Sequence, residues 1–358
     1  MKSDDMTKEM IEQILSDGCL DVNPRPHYSD GTPAHTISIN HVMQTYDLSK
    51  GELPIITLRP IAYKSSIKEL LWIYQDQTSN LFTLENKYNV HWWRDWCINP
   101  CHFSADGLLY DGYNTFQSQG IYYDFKGCKH KLGEKTEGTD KFGYIAFDKD
   151  IYVKGHTESY REIYIDAKTG NVITPDATIG SCYGYTVDKH NLMYNLLDGI
   201  RKDPDGRRHI INMWQEDDFK RLHGLKPCAY QTQWNVRHGK DGIDYLDMCL
   251  YQRSSDYLTA GCINQLQYTV FLYMVAHDLG YKPGKFTWFV GNIQIYDRHI
   301  EQAKEMLKRS SVECKPYIWI NPDKRNFEDL TPNDIEIRDY PVDTIKQINP
   351  QLKFDLGI

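Results

Sequence analysis

The sequence lacks the features that mark several large classes of protein. No apolar run approaches the ~20 residues of a membrane-spanning helix, so we expect no membrane partner. It contains neither a glycine-rich phosphate loop nor a G-x-S-x-G motif, which argues against the commonest nucleoside-triphosphate and hydrolase sites. The N-terminus, Met1-Lys-Ser-Asp-Asp-Met6, has no signal-peptide core, and we therefore predict a cytoplasmic location.

Positive charge is also in deficit. The chain has 41 Lys and Arg against 49 Asp and Glu, which gives a net charge of −8. A nonspecific nucleic-acid coat needs the opposite balance, so we expect no nucleic-acid substrate, although a small anion remains compatible with a local cluster of positive charge. Nine cysteines is an odd number for a disulfide framework, and without an export signal we expect reduced thiols.

The remaining composition is that of a globular protein. Of 358 residues, 41% are hydrophobic and 13% aromatic, which suffices for a large core. Residues 263–279 are apolar around much of a helix, so we predict a central buried helix there. Hydrophobic spacing predicts further helices over 7–17, 65–75, 187–202 and 297–309, and strand-like segments at 36–39, 227–236 and 245–251.

The segment 97–178 differs in character from the rest. It is rich in Gly, Asp, Lys and Tyr, and residues 160–173 have the pattern of a hairpin. We predict a small β-rich lobe inserted within a single catalytic domain that spans 1–358. The segment's cysteines and histidines do not have the spacing of a zinc finger or ribbon, so no metal is predicted. They are Cys97, Cys101, His102, Cys128 and His130.

Two side chains outside this segment have both an ordinary and a chemical interpretation. Cys228, in Leu225-Lys-Pro-Cys-Ala-Tyr230, is most simply a buried core thiol, but a cationic neighbour would make it a nucleophile. Arg253 and the pair Arg207-Arg208 are available cations, yet only a fold can place them. Glu69 is either an exposed helical carboxylate or, if it faces a cleft, a proton shuttle.

Nine short motifs follow one another along residues 20–96 and 179–358. They are the Arg25 loop ending Asp30-Gly-Thr-Pro-Ala-His-Thr36, Lys68-Glu-Leu-Leu-Trp72, Trp93-Arg-Asp-Trp96, Gly180-Ser-Cys-Tyr-Gly184, Gly206-Arg-Arg-His-Ile210, Lys226-Pro-Cys228, Tyr251-Gln-Arg-Ser-Ser-Asp256, Ile263-Asn264 and Ile295-Tyr-Asp-Arg-His-Ile300. In this order they resemble the thymidylate synthase family, and Leu352-Lys-Phe-Asp-Leu-Gly-Ile358 is similar to the family's C-terminal tail.

The resemblance implies a fold, an assembly and a reaction. The fold would be α/β, a mixed sheet flanked by helices, with the sheets of two subunits packed back to back in an obligate homodimer. The reaction would be the reductive methylation of dUMP to dTMP, in which 5,10-methylenetetrahydrofolate supplies both the carbon and the hydride.

The same resemblance implies roles for individual residues. Cys228 would add to C6 of the uracil ring and make C5 nucleophilic, with Arg253 favouring the thiolate. Asn264 would read the base, because a carboxamide matches O4 and N3–H of uracil, whereas an Asp would suit cytosine. Glu69 and Tyr183 would assist proton transfers. Further substrate ligands within the same subunit would be Arg25, Gln252, Ser254, Asp256, Gln294 and Tyr296. Arg207 and Arg208 would reach the substrate from the other subunit. The implied folate-side residues are Arg59, Trp93, Trp96, Asp256 and Ile358.

Three positions depart from the family pattern. Gln294 and Ala229 stand where many members have His, and Cys262 precedes Ile263-Asn264 in a locally unusual segment. Two alternatives therefore accompany the main hypothesis. One is a dUMP hydroxymethylase of the same fold, in which water rather than hydride captures the methylene group. The other is a non-catalytic nucleotide-binding homologue, against which the joint presence of Cys228, Glu69, Arg253 and Asn264 argues.

Overall fold

The structure is a computed structural model that describes residues 1–79, 81–96, 179–219 and 225–357, together with seven short strands between 121 and 173. The chain divides into two compact units. One comprises Met1–Leu71, Met193–Asn212 and Cys228–Ile358, and the other comprises Trp72–Leu192 and Met213–Pro227.

The helices and strands are numbered in chain order. The described helices are α1 (Lys2–Asp17), α2 (Tyr63–Tyr74), α3 (Leu81–Tyr88), α4 (Gly184–Lys189), α5 (Leu192–Lys202), α6 (Glu216–Phe219), α7 (Cys262–Leu279), α8 (Ile300–Lys308) and α9 (Val342–Ile348). The strands are β1 (Cys19–Leu20), β2 (Thr36–Asp47), β3 (Ile121–Tyr123), β4 (Lys129–Lys131), β5 (Tyr144–Ala146), β6 (Asp150–Val153), β7 (His156–Ser159), β8 (Tyr164–Asp166), β9 (Val172–Ile173), β10 (Ile210–Asn212), β11 (Ala229–His238), β12 (Asp244–Asp256), β13 (Lys282–Tyr296), β14 (Tyr317–Ile320) and β15 (Ile335–Arg338).

A mixed six-stranded sheet forms the first unit. Its strands lie in the order β1-β2-β13-β12-β11-β10, and β12 and β13 run parallel while the other neighbours are antiparallel. Burial alternates along β12, where Leu246, Met248 and Leu250 face inward. This alternation is typical of a sheet with one face against a core. The predicted fold class, a mixed sheet flanked by helices, is confirmed.

Helix α7 lies at the centre of that core, as its composition predicts. A π-helical turn at Tyr257–Gly261 leads into it, and twelve of its residues from Cys262 to Ala276 are buried. Gly280 ends the helix in the left-handed conformation, with φ 79°, which glycine adopts without steric penalty. The unusual segment around Cys262 is therefore the first turn of the buried helix.

Other predicted elements need correction. Strand β13 was not predicted, although its buried residues alternate from Gly284 to Val290 and again at Ile293 and Ile295. Pro283, Gly284 and Gly291 interrupt the sequence pattern, and β2 and β12 flank the strand on both sides. The helix predicted over 187–202 is divided into α4 and α5, with Asn191 at φ 50° between them. The helix predicted over 7–17 begins at Lys2.

Within 97–178 the structure describes only strands. Strand β8 pairs antiparallel with β9, so the hairpin predicted from residues 160–173 is present. The inserted lobe as a whole stays a prediction, and the cysteine and histidine side chains of this segment lie outside the described part. Among the side chains that are described, no cluster of three or more His, Cys, Asp or Glu could hold a metal. None of the described helices is long and apolar enough to cross a membrane.

Candidate active site

Cys228 and Arg253 lie side by side at one end of the sheet. Cys228 directly precedes β11, and its carbonyl oxygen accepts the backbone N–H of Arg253 at 2.8 Å. The Nη2 atom of Arg253 lies 3.5 Å from the Cys228 Sγ atom. Tyr230 is an extra residue in the pairing of β11 with β12. Such bulges re-aim side chains next to active sites.

The thiol of Cys228 is subject to opposing influences. Burial raises the pKa of Cys228, whereas the positive charges of Arg253 and, more weakly, Arg25 lower it. Cys228 is half-buried. The cationic neighbour that a nucleophilic cysteine requires is therefore present, and it is a residue distant in sequence.

Tyr296 occupies a buried position at the end of β13. Its ring packs edge-on against Tyr28, with the centroids 6.2 Å apart. Burial, followed by the charge of Asp256, raises the pKa of Tyr296 to about 12, and the exposed Arg25 opposes this shift. The phenol therefore stays protonated at neutral pH and can donate a hydrogen bond.

Asn264 is held by a second amide. The Nε2 atom of Gln252 donates to Asn264 Oδ1 at 3.2 Å and to the carbonyl oxygen of Ser254 at 3.0 Å. The Oε1 atom of Gln252 in turn accepts the indole N–H of Trp288 at 2.9 Å. Because Trp288 can only donate, the orientation of both amides is determined.

Glu69 is buried on α2 and has a partner that the sequence reasoning missed. Gln267 Nε2 donates to Glu69 Oε2 at 2.7 Å. Glu69 therefore does not have the exposed position that is usual for a helical glutamate. Gln267 lies three residues after Asn264 on α7, so the two side chains share a helix face. That spacing was the one signal in the sequence that could have identified Gln267 as a residue of the site.

Arg59 is buried, and Asp256 is half-buried. Asp256 Oδ2 accepts the hydroxyl of Thr259, and Asp256 Oδ1 has no hydrogen-bond partner among the described residues. Burial raises the pKa of Asp256. Arg59 donates to the carbonyl oxygen of Leu258 at 2.5 Å, so its guanidinium is anchored to the π-helical turn. One oxygen of the Asp256 carboxylate is thus buried without a hydrogen-bond donor among the described residues.

The C-terminal tail packs against this region. The ring centroids of Phe354 and His299 lie 5.0 Å apart. The Arg59 guanidinium lies 5.5 Å from the centroid of the Phe354 ring. A ring nitrogen of His299 is 2.8 Å from the carbonyl oxygen of Asp355. Gly357 is so close to Tyr296 that a Cβ atom there would lie 2.8 Å from its ring. Ile358 lies outside the described residues.

Arg298 connects the tail to the loop that carries Arg25. Its Nη2 atom is 2.7 Å from Asp30 Oδ2 and 2.7 Å from Thr32 Oγ1, and its guanidinium lies 3.9 Å from the centre of the Tyr28 ring. Its Nη1 atom is 3.6 Å from Asp355 Oδ2. The loop and the tail therefore share one cation.

The second unit contains three of the predicted aromatic residues. The ring centroid of Trp93 lies 5.7 Å from that of Trp96 and 5.6 Å from that of Tyr183. Tyr183 has φ 49° and ψ −114°, a conformation that costs a non-glycine residue about 1–3 kcal/mol. Gly184 follows because a Cβ atom there would lie 2.1 Å from the Thr78 carbonyl oxygen. Such strain is frequent at functional sites.

Arg207 and Arg208 lie at the surface of the chain. Both side chains are exposed, on the loop between α5 and β10. His238 anchors this loop, with its ring nitrogens 2.9 Å from Asp205 and 2.7 Å from Asp244.

Gln294 is half-buried on β13, opposite Asp256 in the parallel pairing. Ser254 lies on β12 beside Arg253.

Comparison with known proteins identifies the family. The thymidylate synthase family model matches residues 6–352. The chain is 39% identical to thymidylate synthase of Lactococcus lactis subsp. cremoris over 357 residues, 99% of each chain. It is 38% identical to that of Streptococcus thermophilus, over 100% of this chain and 99% of the relative. Residues 97–178 are thus no extra length relative to these enzymes. The structure matches thermostable thymidylate synthase A from Bacillus subtilis with a TM-score of 0.70, 26% identity and 99% coverage of both chains. The chain belongs to the thymidylate synthase family.

Proposed function

We propose that the chain methylates dUMP to dTMP with Cys228 as covalent nucleophile and 5,10-methylenetetrahydrofolate as the donor of carbon and hydride. Membership of the family supports a methyltransferase that acts on dUMP with a folate co-substrate. The observation that carries the covalent step is the 3.5 Å separation of Arg253 Nη2 from Cys228 Sγ. A guanidinium at this distance favours the thiolate, which is the nucleophilic form.

In this proposal the thiolate of Cys228 forms a bond to C6 of the uracil ring, and the electron pair of the C5–C6 double bond moves towards O4. C5 then bonds to the methylene carbon as the bond from that carbon to N10 of the folate breaks and N10 takes up a proton. C5 loses its proton, and the remaining bond from the carbon to N5 breaks, which leaves an exocyclic methylene group on C5 and tetrahydrofolate beside it. Hydride transfer reduces the methylene to a methyl group and oxidises tetrahydrofolate to dihydrofolate. The C6–S bond breaks as the double bond reforms, and Cys228 leaves as thiolate.

Glu69 and Tyr183 are assigned to the proton transfers, and Asn264 to recognition of the base. The burial of Glu69 supports its role in proton transfer. A carboxylate that is shielded from bulk water exchanges its proton with the bound substrate rather than with solvent. The bond from Gln252 leaves the Asn264 amide nitrogen as the group that donates to uracil O4. Tyr296 would donate to the deoxyribose, with Gln294 beside it on β13.

The phosphate would be bound by arginines of two subunits. Arg25 and Arg253 lie close enough to Cys228 for both to lower its pKa, and Ser254 adjoins Arg253. Arg207 and Arg208 are exposed in the single chain, and they would complete the cluster across a dimer interface. Guanidinium groups bind a phosphate dianion in bidentate fashion, which explains how an acidic protein holds an anionic substrate.

The outer face of the sheet supports the homodimer. Met43 on β2 is 67% exposed, and Phe289 on β13 is half-exposed. The ring centroid of Phe289 lies 5.9 Å from that of Tyr251 on β12 and 6.3 Å from that of His41 on β2. A row of apolar and aromatic side chains across neighbouring strands is what a second copy would cover, since isologous interfaces pair identical surfaces.

The folate side is assigned to Asp256, Arg59, Trp93, Trp96 and Ile358. The unpartnered Asp256 Oδ1 offers an acceptor to the N–H groups of a pterin. Arg59 is buried, and its bonds to the turn and its contact with Phe354 support a role in holding the tail over the folate. The cytoplasmic location predicted from the sequence stays a prediction.

The test is to incubate the purified chain with dUMP and 5,10-methylenetetrahydrofolate. Dihydrofolate absorbance would be followed, and the nucleotide would be identified by mass. We expect dihydrofolate and dTMP in equal amounts. A hydroxymethylated nucleotide without dihydrofolate would instead identify the hydroxymethylase, which the relatives named above do not favour. Binding of dUMP without any product would favour the non-catalytic alternative.

A further inference from the structure

We infer that Gln267 is a positioning residue that holds the carboxylate of Glu69 in its reactive orientation, an inference that rests on the function proposed above. Gln267 Nε2 donates to Glu69 Oε2 at 2.7 Å and to the carbonyl oxygen of Ser66 at 2.9 Å. Gln267 is 3% exposed and Glu69 6% exposed. Both ends of the hydrogen bond are therefore shielded from water.

The two bonds use both hydrogens of the Gln267 amide group. Ser66 lies one turn before Glu69 on α2, so the amide is attached to the backbone and to a side chain of the same helix at once. A hydrogen bond to an ionised carboxylate is about twice as strong as one between neutral groups, and burial strengthens it further. This arrangement fixes the carboxylate plane relative to α2.

Gln267 also relates Glu69 to the residue that reads the base. Asn264 and Gln267 are three residues apart on α7 and share one helix face. Asn264 is held from β12 by Gln252, and Gln267 holds Glu69 on α2. Because α7 is buried along most of its length, its two amides form a rigid reference. The distance between the uracil ring and the Glu69 carboxylate is thereby set by a single helix.

The chain offers a matched control two residues away. Gln265 is on the same helix, is the same residue type and is also 3% exposed. Its Oε1 atom has no hydrogen-bond partner among the described residues, and no bond to Glu69 is observed. A general effect of removing a buried amide from α7 should appear at both positions, whereas loss of the Glu69 contact should appear only at Gln267.

The first experiment compares Gln267→Met with Gln265→Met in the dTMP assay. Methionine has a similar length but no donor. For Gln267→Met we expect kcat to fall about tenfold to 100-fold with the Kd for dUMP within about twofold of the native value, because proton transfer by a positioned side chain contributes about 10²–10⁴-fold. Gln265→Met should keep kcat within about threefold. Equal losses in the two folded variants would overturn the inference.

The second experiment uses Gln267→Glu, which keeps the shape of the side chain. A carboxyl group here donates to Glu69 only while it is protonated, and two adjacent carboxyls hold a shared proton to higher pH than one alone. The ratio of the variant's kcat to the native kcat should therefore fall as pH rises. A ratio independent of pH would contradict a donor role. An inactive native chain would overturn the proposed function itself, so the two failures are distinguishable.

Discussion

The guanidinium of Arg253 reaches the thiol of Cys228 from the neighbouring strand, while its backbone N–H binds the carbonyl oxygen of the same cysteine. The same residue thus helps to position the nucleophile and stabilises its thiolate form, against a burial effect that on balance raises the pKa of Cys228. Burial alone would hold Cys228 as an unreactive thiol, because desolvation disfavours the thiolate. The opposing charge of Arg253 is what the chemistry requires.

Arg253→Gln should raise the pKa of the Cys228 thiol. Loss of the positive charge leaves burial less opposed, so the pKa of Cys228 rises and the thiolate fraction at neutral pH falls. The measurement is the pH dependence of iodoacetamide alkylation at Cys228, followed by mass spectrometry. Arg237→Gln, on β11 in an ion pair with Asp247 at 2.8 Å, is the control and should leave the profile unchanged. Identical profiles for both variants would refute this account.

Cys228→Ser should abolish turnover while dUMP still binds. A serine hydroxyl is far less nucleophilic than a thiolate at neutral pH, so kcat should fall about 10³-fold or more. Calorimetry should give a Kd for dUMP within about tenfold of the native value, since the base and phosphate contacts remain. Cys19→Ser removes an exposed thiol and should be fully active. Substantial turnover by Cys228→Ser would remove this residue from the covalent step.

Asn264→Asp should shift the preference from dUMP towards dCMP. A carboxylate at this position still accepts the bond from Gln252, so the helix should keep its structure. It can no longer donate to uracil O4, whereas it can accept from the cytosine amino group. The ratio of kcat/KM for dUMP and dCMP should change by about tenfold or more. Asn292→Asp, whose amide bonds Ser38 and Asn40, serves as the control.

Gly357→Val should displace the C-terminal tail. A side chain at this position would lie 2.8 Å from both Ala34 and the Tyr296 ring, so the tail could not dock as observed. If the tail excludes water from the folate complex, kcat should fall about tenfold while dUMP affinity changes little. Leu356→Ala changes a neighbouring side chain that is 44% exposed and should have a small effect. Full activity of Gly357→Val would separate the tail from catalysis.

Subunit mixing tests whether active sites are shared. An Arg207→Ala, Arg208→Ala double variant and a Cys228→Ser variant should each be inactive alone. Refolded together in equal amounts, they should recover about a quarter of native activity, because half of the dimers are mixed and one site in each is complete. Sedimentation of the native chain as a dimer is the accompanying control. If a mixed dimer forms but no activity is recovered, Arg207 and Arg208 do not complete the active site of the other subunit.

Local sequence determined more of the site than of the fold. The motifs around Cys228, Asn264 and Tyr296 are continuous stretches, so their identity is readable without coordinates. The central helix α7 is equally readable, because a segment that is apolar on all sides has no stable position except a core. The 15-residue strand β13 was missed, since Pro283, Gly284 and the break at Gly291 divide its alternating apolar residues, and pairing with two neighbours supports the strand along its length.

Only the tertiary structure decided the relationships between these stretches. Arg253 reaches Cys228 because β11 and β12 are neighbours with a bulge at Tyr230, and Gln267 reaches Glu69 because α7 lies against α2. Hydrogen bonds and pKa shifts depend on distances of a few ångströms between residues far apart in sequence, such as Gln267 and Glu69, which are 198 positions apart. Residue types along the chain determine which chemistry is available, and packing determines which groups come close enough to perform it.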